Sequence, residues 1–241
     1  MKFTYIKLII ICFIFSSCAK RIKAPMTRFV SPEIVGVGAK VEVSFFNSST
    51  GILNFKNNRT DNPLNMGISK GRGIDAAIGI KNYVDIFWNQ SHDSVATVGL
   101  RYQILGRSPK NTYTVGHKLL ASFSYGDDRD ELETPYQTNL KMTVTDFLLT
   151  YGYRFKSWFM LYGGVSLSNY DFSGNILNAP GGFNSNSFYY EAKTTPTVYL
   201  GTHFNYTRIG TKVELGFQRI KWTNTLPFIN YTIGYGMYIT Y

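Results

Sequence analysis

The sequence predicts a closed antiparallel β-barrel that crosses a membrane, and three observations carry that reading. The 241 residues include 18 Tyr, 18 Phe and 22 Gly, yet only 17% are charged, below the roughly 25% of soluble domains. Beyond the N-terminus no run approaches the about 18 consecutive apolar residues that a membrane helix needs. From Ile34 onward the dominant pattern has period two, the mark of strands whose two faces meet different surroundings. Together these features fit a chain that spans with strands. They exclude a helical membrane protein and a disordered chain, and the length suits one domain.

Lys2 and Lys7 flank the start, Leu8 to Phe15 is apolar, and Ser16 and Ser17 follow, so residues 1–17 read as a secretory signal peptide. The segment Ile14-Phe15-Ser16-Ser17-Cys18 resembles a bacterial lipobox, which implies a lipid on Cys18. Ordinary cleavage after Ala19, with Ser17-Cys18-Ala19 as the small-residue site, is the alternative. A lipid would aid sorting or assembly, because a barrel needs no further anchor. Cys12 and Cys18 are the two cysteines, so the body of the chain has no disulfide, zinc-thiolate site or cysteine nucleophile. Residues 18–33 carry Lys20, Arg21, Lys23, Arg28 and two prolines, and read as a basic periplasmic linker ahead of a barrel over 34–241.

The strands follow in order, each with an apolar outward set. Strand 34–46 turns Val35, Val37, Val41 and Val43 outward; 72–80 turns Ile74, Ile78 and Ile80; 83–89 turns Val84, Ile86 and Trp88; 95–105 turns Val98, Leu100 and Tyr102. Strand 113–125 turns out Leu119 and Phe123; 140–155 turns out Phe147, Leu149 and Tyr151; 157–170 turns out Phe159, Leu161 and Val165. Strand 190–206 presents Val198, Leu200 and Phe204, and 211–222 presents Val213, Leu215 and Phe217. The last strand, 227–241, alternates Ile229, Tyr231, Ile233, Tyr235, Met237, Ile239 and Tyr241. Eight to ten strands are expected and ten favoured, since 72–89 also reads as one long strand. An even number puts both termini on the periplasmic side. Short connectors then fall at Lys81-Asn82, 106–112, Lys156 and 207–210, and long external loops at 47–71, 126–139 and 171–189.

The same register sends Lys40, Glu42, Asp75, Asp85, Arg101, Lys118, Asp146, Arg154, Lys212 and Glu214 into the lumen, five basic and five acidic. A Lys or Arg on the lipid face at mid-bilayer costs roughly 2–4 kcal/mol, which accounts for the segregation. Arg219, Lys221 and His117 break it, near strand ends where the cost is smallest. Tyr162, Tyr170, Tyr199 and Tyr238 add bulk inside. Balanced charge in a barrel this narrow implies a plugged lumen lined by paired ions.

The C-terminal stave Ile233-Gly234-Tyr235-Gly236-Met237-Tyr238-Ile239-Thr240-Tyr241 resembles the ending read by the bacterial barrel-assembly machinery. On that stave and the architecture, the region from 34 to the end resembles small Gram-negative outer-membrane barrels of the opacity and OmpA-transmembrane type. The resemblance implies an integral outer-membrane protein in contact with lipid and lipopolysaccharide, with Tyr235, Met237, Ile239 and Tyr241 as the assembly signal. It carries over no catalytic residue.

Candidate chemistry is sparse. His203 reads as a hydrogen-bonded interior histidine beside Tyr199 and Asn205. The turn Gln90-Ser91-His92-Asp93-Ser94 holds Ser, His and Asp, but one short turn does not supply triad geometry. His117 is expected outward, with no serine companion. The acidic run Asp127-Asp128-Arg129-Asp130-Glu131-Leu132-Glu133 lacks calcium-loop spacing, and Ser69 to Asp75 lacks a phosphate-loop ending. Lys56 and Arg59 could meet lipopolysaccharide phosphates. The excess of 25 basic over 15 acidic residues is scattered along an exported chain, which disfavours nucleic acid. No catalytic site, metal or cofactor is expected. The functional expectation is a structural or surface-interaction barrel acting through its external loops, their partner unidentified. A narrow porin-like channel, or a lipid-modifying enzyme of the cell envelope, are the alternatives.

Overall fold

The computed structural model describes residues 19–25, 29–36, 38–54, 64–91, 95–106, 113–132, 138–176, 186–206, 208–223 and 226–241. The signal peptide, Cys18, Lys56, Arg59, His92, Arg107, Lys110 and Glu133 lie outside them. The described strands are β1 Ala19–Pro25, β2 Ala39–Asn54, β3 Leu64–Lys81, β4 Val84–Ser91, β5 Thr97–Leu105 and β6 Gly116–Leu132. They continue with β7 Thr138–Lys156, β8 Phe159–Ile176, β9 Asn186–Tyr206, β10 Ile209–Ile220 and β11 Phe228–Thr240.

Strands β2 to β11 each pair antiparallel with the next, and β11 returns to β2 from Thr240↔Lys40 to Tyr235↔Phe45. The sheet is therefore a closed ten-strand barrel, and 72–89 is two strands joined by a turn at Asn82 and Tyr83. Closure pairs the staves that an open sheet would leave as sticky edges.

Period-two alternation sorts the side chains. On β9, Leu200 is 58% exposed while Tyr199 is 1% exposed; on β8, Val165 is 50% exposed and Ser166 1%. Outward Leu, Val, Ile and aromatic residues form a belt right round the barrel. Exposed polar side chains bound it at both ends: Arg72, Gln90, Arg129, Lys141, Lys193 and Arg219 at one, and Lys81, Lys156 and Arg208 at the other. At the second end Tyr153, Phe155, Phe159 and Phe204 pack in sequence, with ring centroids 4.8, 5.8 and 5.2 Å apart. Such a girdle is how strand barrels meet a membrane interface.

The two ends differ. Turns at 82–83 and 157–158, and the short step from β9 at Tyr206 to β10 at Ile209, make one end short. At the other, the β2–β3, β6–β7 and β8–β9 hairpins rise well beyond the belt. Much of the expected long loops 47–71, 126–139 and 171–189 is thus continued strand, because cross-strand pairing satisfies backbone groups that a free loop would leave to water.

The N-terminal part departs most from expectation. Residues 18–33 were to be a linker and the barrel was to begin near 34; the first barrel strand instead starts at Ala39. β1 pairs with the raised part of β2, from Ala19↔Asn54 to Pro25↔Ser48. Residues 29–36 then run down inside the barrel and reach the short-turn end beside Gly79, whose amide donates to the Gly38 carbonyl at 2.9 Å. Val35, expected to face lipid, is a lumen residue. Ala39 and Tyr241 hydrogen-bond to each other at the short-turn end, as an even strand count requires. The chain nevertheless arrives there from the opposite mouth, so Ala19 and Tyr241 lie at opposite ends.

Candidate lumen site

An extended chain inside a barrel has no neighbouring strand, so its backbone groups need side-chain partners. The wall supplies them. The Phe29 amide donates to Glu214 Oε2 at 2.9 Å and its carbonyl accepts from Lys212 Nζ at 2.5 Å. Held at both groups, Phe29 keeps a φ of 52°, a conformation that non-glycine residues seldom adopt. The amides of Ile34 and Val35 donate to Gln103 Oε1 at 3.4 Å and Asp85 Oδ2 at 3.1 Å. Val30 and Ile34 pack on a cluster of Leu120, Leu148, Met160, Tyr162 and Tyr199. Residues 29–36 therefore bridge a polar wall and an apolar one.

Of the ten charges assigned to the lumen, Asp146 is partly exposed, with Ser168 Oγ donating to it at 2.5 Å. The other nine are buried. In the middle, Lys40 lies 3.1 Å from Glu42 and 3.7 Å from Asp75, Arg101 lies 2.5 Å from Asp75, and Lys212 lies 2.6 Å from Glu42. Tyr162 donates to Glu214 at 3.0 Å. Towards the short-turn end stand Lys118 and Arg154, whose carboxylate partner comes from inside the lumen. Glu33 accepts from Arg154 Nε at 2.8 Å and Nη2 at 2.5 Å, and lies 3.6 Å from Lys118. Sequence reading left Glu33 in the linker and missed this. The clue was compositional: Phe29-Val30 is an apolar pair in a stretch otherwise read as a basic periplasmic linker.

His203 is buried in the same layer. Its Nε2 pairs with the Tyr238 hydroxyl at 2.5 Å, and Arg154 reaches its Nδ1 at 3.4 Å. Asn205 bonds to both Tyr238 and Arg154. His117 faces outward, its Nδ1 2.5 Å from the Tyr151 hydroxyl. Asp127 and Arg129 stand on β6, paired strand to strand, where a loop was expected; Lys141 lies 4.0 Å from Asp127. Among the described residues no three His, Cys, Asp or Glu converge on a metal position. Tyr235, Met237, Ile239 and Tyr241 face outward on and beyond β11, 43 to 73% exposed.

Above the belt, a second small network sits on the β8–β9 hairpin. Tyr189 donates to Glu191 at 2.9 Å and Asp171 at 3.2 Å, and Lys193 lies 2.9 Å from Glu191. The hydrogen bond to Glu191 pushes the Tyr189 phenol up to about 12. Lys193, and then Tyr189, hold the Glu191 carboxyl below its ordinary range, while Glu191 raises Lys193.

No known family model and no curated protein matches the chain. Among solved structures it is similar to Ail, the attachment invasion locus protein of Yersinia pestis. The TM-score is 0.39 at 11% identity, over 85% of this chain and 99% of that one. Neisserial surface protein A gives 0.38 at 9%, over 85% and 97%. The outer membrane protease OmpT of Escherichia coli gives 0.33 at 9%, over 85% and 92%. At such values the likeness adds nothing to what the strands themselves establish, and each of those activities belongs to its own protein.

Proposed function

We propose that the chain is an integral outer-membrane barrel of a Gram-negative envelope that works through its raised hairpins, as a structural or surface-interaction protein. The observation that carries this reading is the lumen. Residues 29–36 run across it, bonded to charged residues of the wall, so the chain interrupts the path along the barrel axis. The outward apolar belt with polar edges supports contact with lipid and lipopolysaccharide, and the alternating outward face of the last strand supports recognition by the barrel-assembly machinery. A lipid on Cys18 and contacts of Lys56 and Arg59 with lipopolysaccharide phosphates belong to the same proposal. Among the described residues His203 hydrogen-bonds to Tyr238 and Arg154, not to a serine or cysteine, which ranks the enzyme alternative low.

The test is single-channel conductance of the mature protein refolded into planar bilayers, after heat-modifiable gel migration has established insertion. An inserted but silent protein is expected. Discrete conductance steps would overturn the sealed lumen in favour of a narrow channel, and unaltered migration would overturn the barrel in the membrane.

A further inference from the structure

Residues 29–36 do not fill the whole lumen. Towards the raised hairpins a cavity with an open mouth lies over Phe29 and Val30. Asn89, Ser91, Thr97, Ser122 and Ser124 line it, and their side chains find no hydrogen-bond partner among the described residues. Deeper in its wall stand Glu42 and Asp75, 2% and 9% exposed. Glu42 Oε1 and Asp75 Oδ1 receive no hydrogen bond, and the Nε of neighbouring Arg101 donates none. Phe87 and Tyr170 contribute aromatic rings to the same cavity.

Buried polar atoms without partners are costly and call for water or a ligand. We propose that this cavity, entered from the hairpin end and floored by Phe29 and Val30, binds a small neutral polyol of monosaccharide size. Polyol hydroxyls both donate and accept, which is what the row of hydroxyl and amide side chains on the cavity wall can match. Apolar C–H faces of a sugar ring suit the rings of Phe87 and Tyr170. Neutrality follows from the wall. Glu42 already faces Lys40 and Lys212, and Asp75 faces Arg101 and Lys40. An added cation would sit beside these bases, and an added anion beside Glu42, Asp75 and Asp146. The site goes beyond the surface-interaction reading, since it needs only the closed barrel and its floor.

Saturation-transfer NMR tests this on the full mature protein, refolded in a detergent without a sugar headgroup. The probes are D-glucose, D-glucosamine and D-gluconate, each at about 50 mM, above the dissociation constants of millimolar ligands. Glucose is expected to receive saturation and to compete with itself, with the two charged analogues at least about fivefold weaker, a difference near 1 kcal/mol. Ser122→Phe, which fills the cavity, should abolish the glucose signal while heat-modifiable migration stays unchanged. Ser124→Ala, which removes one hydrogen bond, should weaken binding about two- to tenfold. Silence with glucose, an equal signal from the Ser122→Phe protein, or stronger binding of either charged analogue would each overturn the proposal. Because conductance plays no part in this experiment, its failure leaves the surface-interaction reading standing, and the reverse holds too.

Discussion

Glu33 and Arg154, 121 residues apart in sequence, form a two-point pair inside the barrel, with Nε and Nη2 of one guanidinium on the two oxygens of one carboxylate. Lys118 shares the same carboxylate, so a single acid on the luminal segment answers two buried cations of the wall.

Removing that acid should be expensive. Glu33→Gln keeps the shape and removes the charge, and breaking a buried pair costs roughly 3–5 kcal/mol. The variant is expected to lose about that much stability in urea unfolding from lipid vesicles, and the segment around residue 33 should become open to protease. Unchanged unfolding and protection would mean that the pair does not hold the segment.

Gly79 gives a steric test of the same segment. A Cβ there would fall 1.2 Å from the Gly36 carbonyl oxygen, a backbone atom that cannot rotate away. Gly36 itself has a φ of 76°, where glycine is favoured. Gly79→Val is expected to displace the lower part of the segment and expose it to protease, while the outward-facing Ile78→Val is not. Equal protection in the two variants would contradict the close approach.

The path of the chain predicts a labelling pattern. In a Cys18→Ser background, Ala19→Cys should react with a membrane-impermeant maleimide from the same side as Arg129→Cys on the raised β6–β7 hairpin. Tyr241→Cys should react from the side of Ser157→Cys. Ala19 labelled together with Tyr241 would rule out passage through the lumen.

The apolar belt makes a quantitative claim. Leu200→Lys, between Val198 and Phe204 within the outward belt of β9, should cost roughly 2–4 kcal/mol on refolding into bilayers, whereas Phe217→Lys, nearer the belt edge, should cost distinctly less. Equal effects would show that the belt is not aligned with a bilayer.

The hairpin network predicts a pH response. Tyr189 ionises late because its neutral phenol donates to Glu191 and Asp171. Its contribution is therefore complete below its ordinary value of 10.0 and is lost as pH rises through about 12. The carboxyl of Glu191 is depressed, so its contribution is present above 4.5 and is lost as pH falls through its lower folded value. Titration of labelled tyrosines by NMR should find Tyr189 among the last to ionise, and Tyr189→Phe should return Glu191 towards its ordinary range. An ordinary Tyr189 titration would refute the network.

The ten staves were legible because alternation acts residue by residue. Tyr199 in and Leu200 out follow from the pleat alone, and Lys212 and Glu214 fall inward from the same rule. The luminal segment was not legible, since an extended chain with no partner strand leaves no repeating pattern. Glu33 looks like any solvated acid until Arg154 and Lys118 are seen to need it. The wall did leave a hint: its buried charges are one acid short once Asp146 is set apart. Hairpin height was under-read for a related reason. Thr138 to Met142 and Ser173 to Ile176 pair with their neighbours, but above the lipid both faces of a hairpin meet water, and the contrast between faces fades.

A chain that passes through its own ring is mechanically captive. The seam between β11 and β2, Thr240↔Lys40 to Tyr235↔Phe45, must either close around residues 29–36 or be sealed before a free end is drawn through. In the first order of events the segment is a mandrel on which the cylinder is rolled. Any bulky group ahead of Ala19 would then lock the two together, and no relaxation short of reopening the seam could part them.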